Sequence, residues 1–328
     1  MIIDLVHLLY RVRPEKKTSD EWTAIDALPQ QQIAVMVPAW SEYEVIGQMI
    51  RANTQRVDYA SYQWFIGIYP NDADTSRVGR RLAEEFPDRV NIVMVDRPGP
   101  TSKAHFLNNI LKAIIEKANT TSWEPDFVAL HDAEDLVHPD SFKAVNALDS
   151  KIEFCQIPIF ALHTPLLSLT SGTYMDEFAE NHLKEIPTRQ LLGMPIPSAG
   201  VGTFIRFKTM LRAQEYFGYA FNEGSLTEDY DLSMRLAYIG TSQKFLTMES
   251  RTGKALIATQ EYFPHRVRTS IRQKTRWIIG ITLQGVALIK PKTAAKIYGS
   301  LRDRKGLVTN AINLMGWIGF VTALTLLA

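Results

Sequence analysis

Apolar residues fall into two alternating patterns along the chain. Short continuous runs, Ile33 to Val37, Trp64 to Tyr69, Asn91 to Val95 and Phe127 to Leu130, have the length and density of strands buried on both faces. Between them, apolar positions recur at helical spacing: Val45, Ile46, Met49 and Ile50; Val78, Leu82 and Phe86; Leu107, Ile110, Leu111, Ile114 and Ile115. Steps of three and four place each set on one helix face. Strand and helix in alternation predict an α/β domain built on a mostly parallel sheet with flanking helices. Pro38 is predicted to stop the first strand. From Lys151 to Thr203 the pattern fades into a mixed stretch with Pro158, Pro165, Pro187, Pro195 and Pro197, which predicts long loops.

The two ends depart from this rhythm. Met1 to Tyr10 is apolar-biased but too short to span a bilayer, and the basic residues Arg11, Arg13, Lys16 and Lys17 follow it, the reverse of a signal peptide. A membrane-proximal segment over residues 1–30 fits better. Gly306 to Ala328 carries no charge over 23 positions, long enough to cross a membrane. A buried core helix is the competing reading. The flank favours the span: Lys290, Lys292, Lys296, Arg302, Arg304 and Lys305 face one acid, Asp303, which places that side in the cytoplasm by the positive-inside rule. The predicted organisation is therefore a main α/β domain over 31–265, an interfacial helix over 266–290 and a transmembrane helix over 306–328, in a chain that can be part of a longer one.

Composition adds exclusions. With 36 Lys and Arg against 35 Asp and Glu, the formal charge is +1, which argues against a nucleic-acid partner. The single cysteine, Cys155, cannot close an internal disulfide.

In open parallel sheets, ligands bind beyond the carboxyl ends of the strands. Polar clusters stand there: Pro38-Ala-Trp-Ser-Glu42, Pro70-Asn-Asp72-Ala-Asp74 and His131-Asp132-Ala-Glu134-Asp135. No G-x-G-x-x-G follows the first strand and no G-x-x-x-x-G-K-[ST] occurs, which disfavours dinucleotide and P-loop chemistry. Asp132 and Glu134 read either as a solvated acidic loop or as oxygen ligands suited to Mg²⁺ or Mn²⁺. Asp229, in Thr227-Glu-Asp229, reads either as a helix N-cap, a role Asp231 could also take, or as a general base. Gln273-Lys-Thr-Arg276-Trp277 lies on a basic amphipathic helix that fits a membrane surface, and Arg276 and Trp277 also suit a diphosphate and a sugar ring.

In order, Val37-Pro-Ala-Trp-Ser-Glu42, Ser102-Lys-Ala-His-Phe-Leu-Asn108, Asp132-Ala-Glu134, Thr227-Glu-Asp229 and Gln273-Lys-Thr-Arg-Trp277 resemble the motif series of processive family 2 glycosyltransferases. The resemblance covers Gln32 to Ile289 and implies a GT-A fold with carboxyl-terminal interfacial and transmembrane helices. It also implies an inverting transferase that uses a UDP-sugar and Mg²⁺ or Mn²⁺. By the family's pattern Pro38 and Glu42 line the uridine pocket, Asp72 meets the base or ribose, and Lys103 approaches the nucleotide. Asp132 and Glu134 hold metal and diphosphate, and Asp229 is the catalytic base. Gln273, Arg276 and Trp277 grip the diphosphate beside a polysaccharide acceptor. Within the family the likeness is to a bacterial inner-membrane branch linked to phage adsorption. That branch implies an N-acetylhexosamine, N-acetylmannosamine before N-acetylglucosamine, an outer-membrane partner protein and a cyclic-di-GMP-sensing region.

Two positions depart from the family pattern. Glu134 stands where the second aspartate is usual, and Asp72 and Asp74 compete for one role. His265 is a marginal further metal ligand. Two other readings compete with the transferase. One is a catalytically quiet scaffold or phage-receptor component, for which Glu134 is the hint. The other is a nucleotidyltransferase, which wants a glycine-rich basic loop where Val37-Pro-Ala-Trp-Ser-Glu42 is acidic.

Overall fold

A computed structural model of the chain describes residues 2–10, 12–162, 168–285 and 293–327. Arg11, Pro165, Lys290, Lys292, the end of the apolar run beyond Gly285, and Ala328 lie outside the described residues. The four apolar runs become β1 (Ile33–Ala39), β2 (Tyr62–Ile68), β3 (Val90–Met94) and β4 (Phe127–Leu130). They are parallel, with Val35 of β1 opposite Trp64 on one side and Ala129 on the other. Two helices, α1 (Ile2–Tyr10) and α2 (Ser19–Asp26), precede β1. The crossovers carry α3 (Ile46–Arg56), α4 (Ala73–Glu85) and α5 (Lys103–Thr120). Alternation along β1 sorts the core: Val35 and Val37 pack with Ile46, Met49, Ile50 and Leu82, whereas Ala34 and Met36 pack with Leu107, Ile110 and Ile114.

Beyond β4 the elements are α6 (Ser141–Asn146), β5 (Phe154–Gln156), β6 (Ile159–Ala161), α7 (Leu169–Glu180), α8 (Ile186–Leu191) and β7 (Thr203–Arg206). They continue through α9 (Phe207–Phe217), α10 (Glu228–Tyr238), β8 (Gln243–Phe245), β9 (Thr259–Glu261), α11 (Val267–Trp277), α12 (Ala294–Asp303) and α13 (Lys305–Leu327). The main sheet has the order β3-β2-β1-β4-β7-β5-β8, with β7 antiparallel to both neighbours, while β6 and β9 form a small parallel pair. Cys155 lies fully buried in β5, opposite Phe204 and Lys244, and burial pushes its thiol up to about 12.

Three expectations are corrected. β1 runs through Pro38 to Ala39, paired with Gly67 and Ile68. The N–H of Ile33 points at β2, so residue 38 faces the β4 side, where the ladder has ended at Met36 and no donor is wanted. The stretch from Lys151 to Thr203 is not one run of loops: it carries β5, β6, α7, a π-helical turn over Asn181–Glu185 and α8, with Pro187 directly after the π-helical turn. The N-cap of α10 is Thr227, so Asp229 and Asp231 sit inside the first turn and neither is the N-cap.

At the amino end, Trp22 of α2 joins the core, whereas Leu5, Leu8 and Leu9 of α1 are exposed. At the carboxyl end, the stretch Ala294–Leu326 is long and apolar enough to cross a membrane, and none of its apolar window is buried against the protein.

Candidate active site

The turns after β1, β2 and β4 meet along the carboxyl edge of the sheet. Asp72, the N-cap of α4, accepts from the N–H of Thr75 at 3.2 Å through Oδ1 and from the N–H of Ser41 at 2.7 Å through Oδ2. Ser41 has a φ of 59°, so this bond holds a left-handed turn that an L residue adopts rarely. The turn presents Glu42, whose N–H donates to Thr75 Oγ1 at 3.1 Å. Asp72 and Asp74 thereby part company: Asp72 is buried beneath the turn, and Asp74 is exposed and paired with Arg77 at 2.9 Å. Pro38 is half-buried at the end of β1, and Trp40 meets Tyr69 edge to face at 5.1 Å.

At the end of β4, a buried dyad shapes the turn. His131 Nδ1 lies 2.8 Å from Asp135 Oδ2, which also accepts from the N–H of Asp132 at 3.0 Å. Asn53 of α3 clamps the next residues, donating to Asp135 O at 2.8 Å and accepting from Val137 N–H at 2.9 Å. Asp132 is left facing the cleft, where Lys103 donates to its Oδ1 at 2.6 Å. Lys103 occupies the first turn of α5, started by Ser102, whose Oγ accepts from His105 N–H.

On the far side, α10 opens with Glu228 and Asp229. The N–H of Tyr230 donates to Asp229 Oδ1 at 2.8 Å. Gly200 faces the other oxygen: its φ is +83°, and a Cβ there would lie 2.7 Å from Asp229 Oδ2. Gly280, in the π-helical turn Ile278–Leu283 that continues α11, packs against Thr227, where a Cβ would fall 2.4 Å from Oγ1. The helix bearing Gln273, Arg276 and Trp277 thus reaches the turn bearing Asp229 through a glycine contact. Gln273 accepts from Tyr174 O–H at 2.8 Å, and Trp277 packs on Tyr174 and Phe178 with centroids at 6.0 Å. Arg276 is exposed, and its charge opposes the rise in pKa of Glu228 and Asp229.

Electrostatically the cleft holds more carboxylates than cations. Burial and the charges of Asp132, Glu42 and Asp135 push Glu134 up to about 7, and burial and Asp229 push Glu228 up to about 7. Glu42 and Asp229 are raised chiefly by burial. Burial works against the Lys103 ammonium, yet Asp132, Glu228 and Asp229 outweigh it and hold Lys103 above its usual range. Asp132 and Glu134 offer carboxylate oxygens, the donor type that suits a divalent cation, and Asp132 Oδ1 is paired with the Lys103 ammonium. Among the described residues no three His, Cys, Asp or Glu side chains are gathered to ligand spacing. His265 is exposed at the start of the segment leading into α11.

Several residues here have no signature in the sequence. Glu261 is carried to the acidic cluster by β9, which exchanges bonds between Gln260 and Leu136 at 2.8 and 3.0 Å, and burial with Asp135, Asp132 and Glu134 raises its pKa well above normal. Gly200 and Tyr174 also escape a reading based on periodicity.

Residues 29–280 match the model of the family described as glycosyltransferase-like family 2. The chain belongs to this family. As a family 2 glycosyltransferase it is 38% identical over 317 residues to bacteriophage adsorption protein B of Escherichia coli strain K12 and to bacteriophage N4 adsorption protein B of Escherichia coli O157:H7. The match takes in 91% of this chain and 42% of each relative, so the chain spans less than half their length. The fold is GT-A, as in the mannosyltransferase from Pyrobaculum calidifontis solved with GDP-mannose and Mn²⁺, with a TM-score of 0.59 at 16% identity over 99% of this chain and 89% of that one.

Proposed function

We propose that this family 2 glycosyltransferase is an inverting, membrane-anchored enzyme that moves a sugar, an N-acetylhexosamine, from a UDP-sugar to a growing exopolysaccharide. The observation that carries the reading is the span of Lys103: it is bonded to Asp132 at 2.6 Å while its charge reaches Glu228 and Asp229 across the cleft. A leaving-group side and a base side therefore face each other over one charge. The uridine pocket is formed by Pro38 and Glu42 on the turn that Asp72 holds. Asp132 and Glu134 hold Mg²⁺ or Mn²⁺, and the bound cation supplies neutralising charge to the diphosphate. Lys103 and Arg276 add fixed positive charge where negative charge develops on UDP. Gln273 and Trp277 border the acceptor, whose hydroxyl gives its proton to Asp229 as the oxygen attacks the anomeric carbon in line.

The membrane setting rests on the unburied apolar helix α13 and on an exposed stripe, Val267, Ile271 and Ile278, along the helix that carries Arg276. The basic flank supports a catalytic domain on the cytoplasmic side of a bacterial inner membrane. The likeness to adsorption protein B supports N-acetylmannosamine ahead of N-acetylglucosamine, an outer-membrane partner and cyclic-di-GMP control in a longer chain.

Isothermal titration of UDP into the detergent-solubilised chain, with Mn²⁺ or Mg²⁺, tests the reading. Metal-dependent heat that vanishes in Asp132→Ala supports it, and UDP-sugar turnover lost in Asp229→Asn completes it. Absence of UDP binding with both metals overturns it in favour of a quiet scaffold.

A further inference from the structure

The helix that enters the apolar segment is bolted to the helix that carries Asp229. α12 runs alongside α10: Lys296 Nζ donates to Ala237 O at 3.3 Å near one end, and Asp303 Oδ2 accepts from Tyr230 O–H at 2.8 Å at the other. Asp303 also takes both guanidinium nitrogens of Arg189 of α8, at 2.5 and 3.0 Å, and both side chains are less than a tenth exposed. Arg189 Nε reaches on to Pro195 O at 3.3 Å, in the segment that leads to Gly200. One residue later, Arg304 donates to Gly285 O at 2.9 Å, just past the π-helical turn that follows Trp277. Arg302 pairs with Glu185 in the π-helical turn before α8.

One of these contacts, Asp303 to Tyr230, ends on a residue that touches Asp229, and another, Arg189 to Pro195, ends on the segment that leads to Gly200. Tyr230 donates its N–H to Asp229 Oδ1, and Gly200 faces Asp229 Oδ2. A buried ion pair adds little stability over an apolar pair of the same shape, so stability is a weak reason for this one. Its geometry serves orientation: a bidentate Arg–carboxylate pair fixes the direction of both planes.

We propose that Asp303 is a positioning residue for the Asp229 carboxylate, acting through Tyr230, so that α12 sets the base from the membrane-facing end of the chain. The proposal rests on Asp229 being the base. It implies that a displacement of α12 reaches the chemistry without touching donor binding, because among the described residues Asp303 bonds to Arg189 and Tyr230 and to none of Asp72, Glu42 or Asp132.

Tyr230→Phe is the decisive variant: it removes one hydroxyl while Arg189 continues to satisfy Asp303, so the fold is retained. UDP release is measured from UDP-N-acetylglucosamine and UDP-N-acetylmannosamine in the detergent-solubilised full chain, with hydrogen exchange followed at residues 228–231. Tyr230→Phe and Asp303→Asn are expected to lower kcat about tenfold with KM for the donor unchanged, and to speed exchange at 228–231, with Tyr230→Phe melting as the wild type does. Should Asp229→Asn abolish turnover while both variants keep wild-type kcat and exchange, the coupling is overturned and the base assignment stands. Turnover that survives in Asp229→Asn overturns the assignment and the coupling with it. With neither donor turned over by the wild type, unchanged exchange in Tyr230→Phe by itself overturns the coupling.

Discussion

Lys103 of α5 and Asp132 after β4 meet at 2.6 Å across the carboxyl edge of the sheet, 29 residues apart in sequence. The pair exists because a helix N-terminus and a strand end are adjacent in a parallel α/β crossover.

Replacing Lys103 with Met removes the fixed charge that greets the diphosphate. A hydrogen bond to a charged group contributes about 1.5–3 kcal/mol, so UDP affinity should fall roughly 10- to 100-fold. Titration calorimetry of UDP at fixed Mn²⁺ checks this, and unchanged affinity would remove Lys103 from the nucleotide site.

Asp229→Asn keeps the shape of the side chain and its bond from Tyr230 N–H but cannot take a proton. A positioned general base is worth about 10²–10⁴ in rate. Steady-state turnover should drop by that factor with UDP affinity unchanged, and a smaller drop would assign the proton elsewhere.

Gly200→Ala puts a methyl group 2.7 Å from Asp229 Oδ2 at a φ of +83°. The left-handed backbone alone costs an L residue about 1–2 kcal/mol, so both stability and kcat should fall. Urea unfolding followed by tryptophan fluorescence, beside turnover, separates the two effects.

Burial holds the His182 imidazole neutral, its pKa lowered to about 4 from 6.5, with Nδ1 2.8 Å from Ile159 O. The unfolded chain takes up that proton first as the pH falls, so stability is full above 6.5 and is lost between 6.5 and about 4. A shift of this size corresponds to about 3 kcal/mol. Unfolding free energies of the wild type and His182→Gln across that window should converge towards pH 4, and parallel curves would show that the histidine titrates unhindered.

Deleting residues 306–328 removes an apolar helix that buries nothing against the protein. The truncated chain should leave the membrane fraction and dispense with detergent while keeping the melting temperature of the full chain. Cell fractionation and differential scanning calorimetry decide it, and a marked loss of stability would mark the helix as a core element instead.

The parallel half of the sheet was legible because β1, β2 and β4 are buried on both faces and so must be apolar without interruption. Pro38 misled the reading of β1, since tolerance of a missing donor depends on where the neighbouring strand stops. The later strands left no such trace: Phe154–Gln156, Thr203–Arg206 and Gln243–Phe245 of the main sheet and Thr259–Glu261 of the small pair are too short to show a period. Glu261 enters the site on the small pair and Gly200 on the segment before β7. The acidic turns were visible because they follow the legible strands. Asp229 looked as much like a cap as a base because spacing cannot say whether a carboxylate turns back on its own helix or outward.

Cys155 has a practical consequence. Sealed in β5 with its thiol pushed up to about 12, it has almost no thiolate at neutral pH. The chain is thus a ready background for single-site labelling: a cysteine placed at exposed Ile271 or Leu301 would be the one thiol to react with a maleimide probe. A pair of such cysteines, one on each helix, then gives a spectroscopic ruler without first redesigning the core.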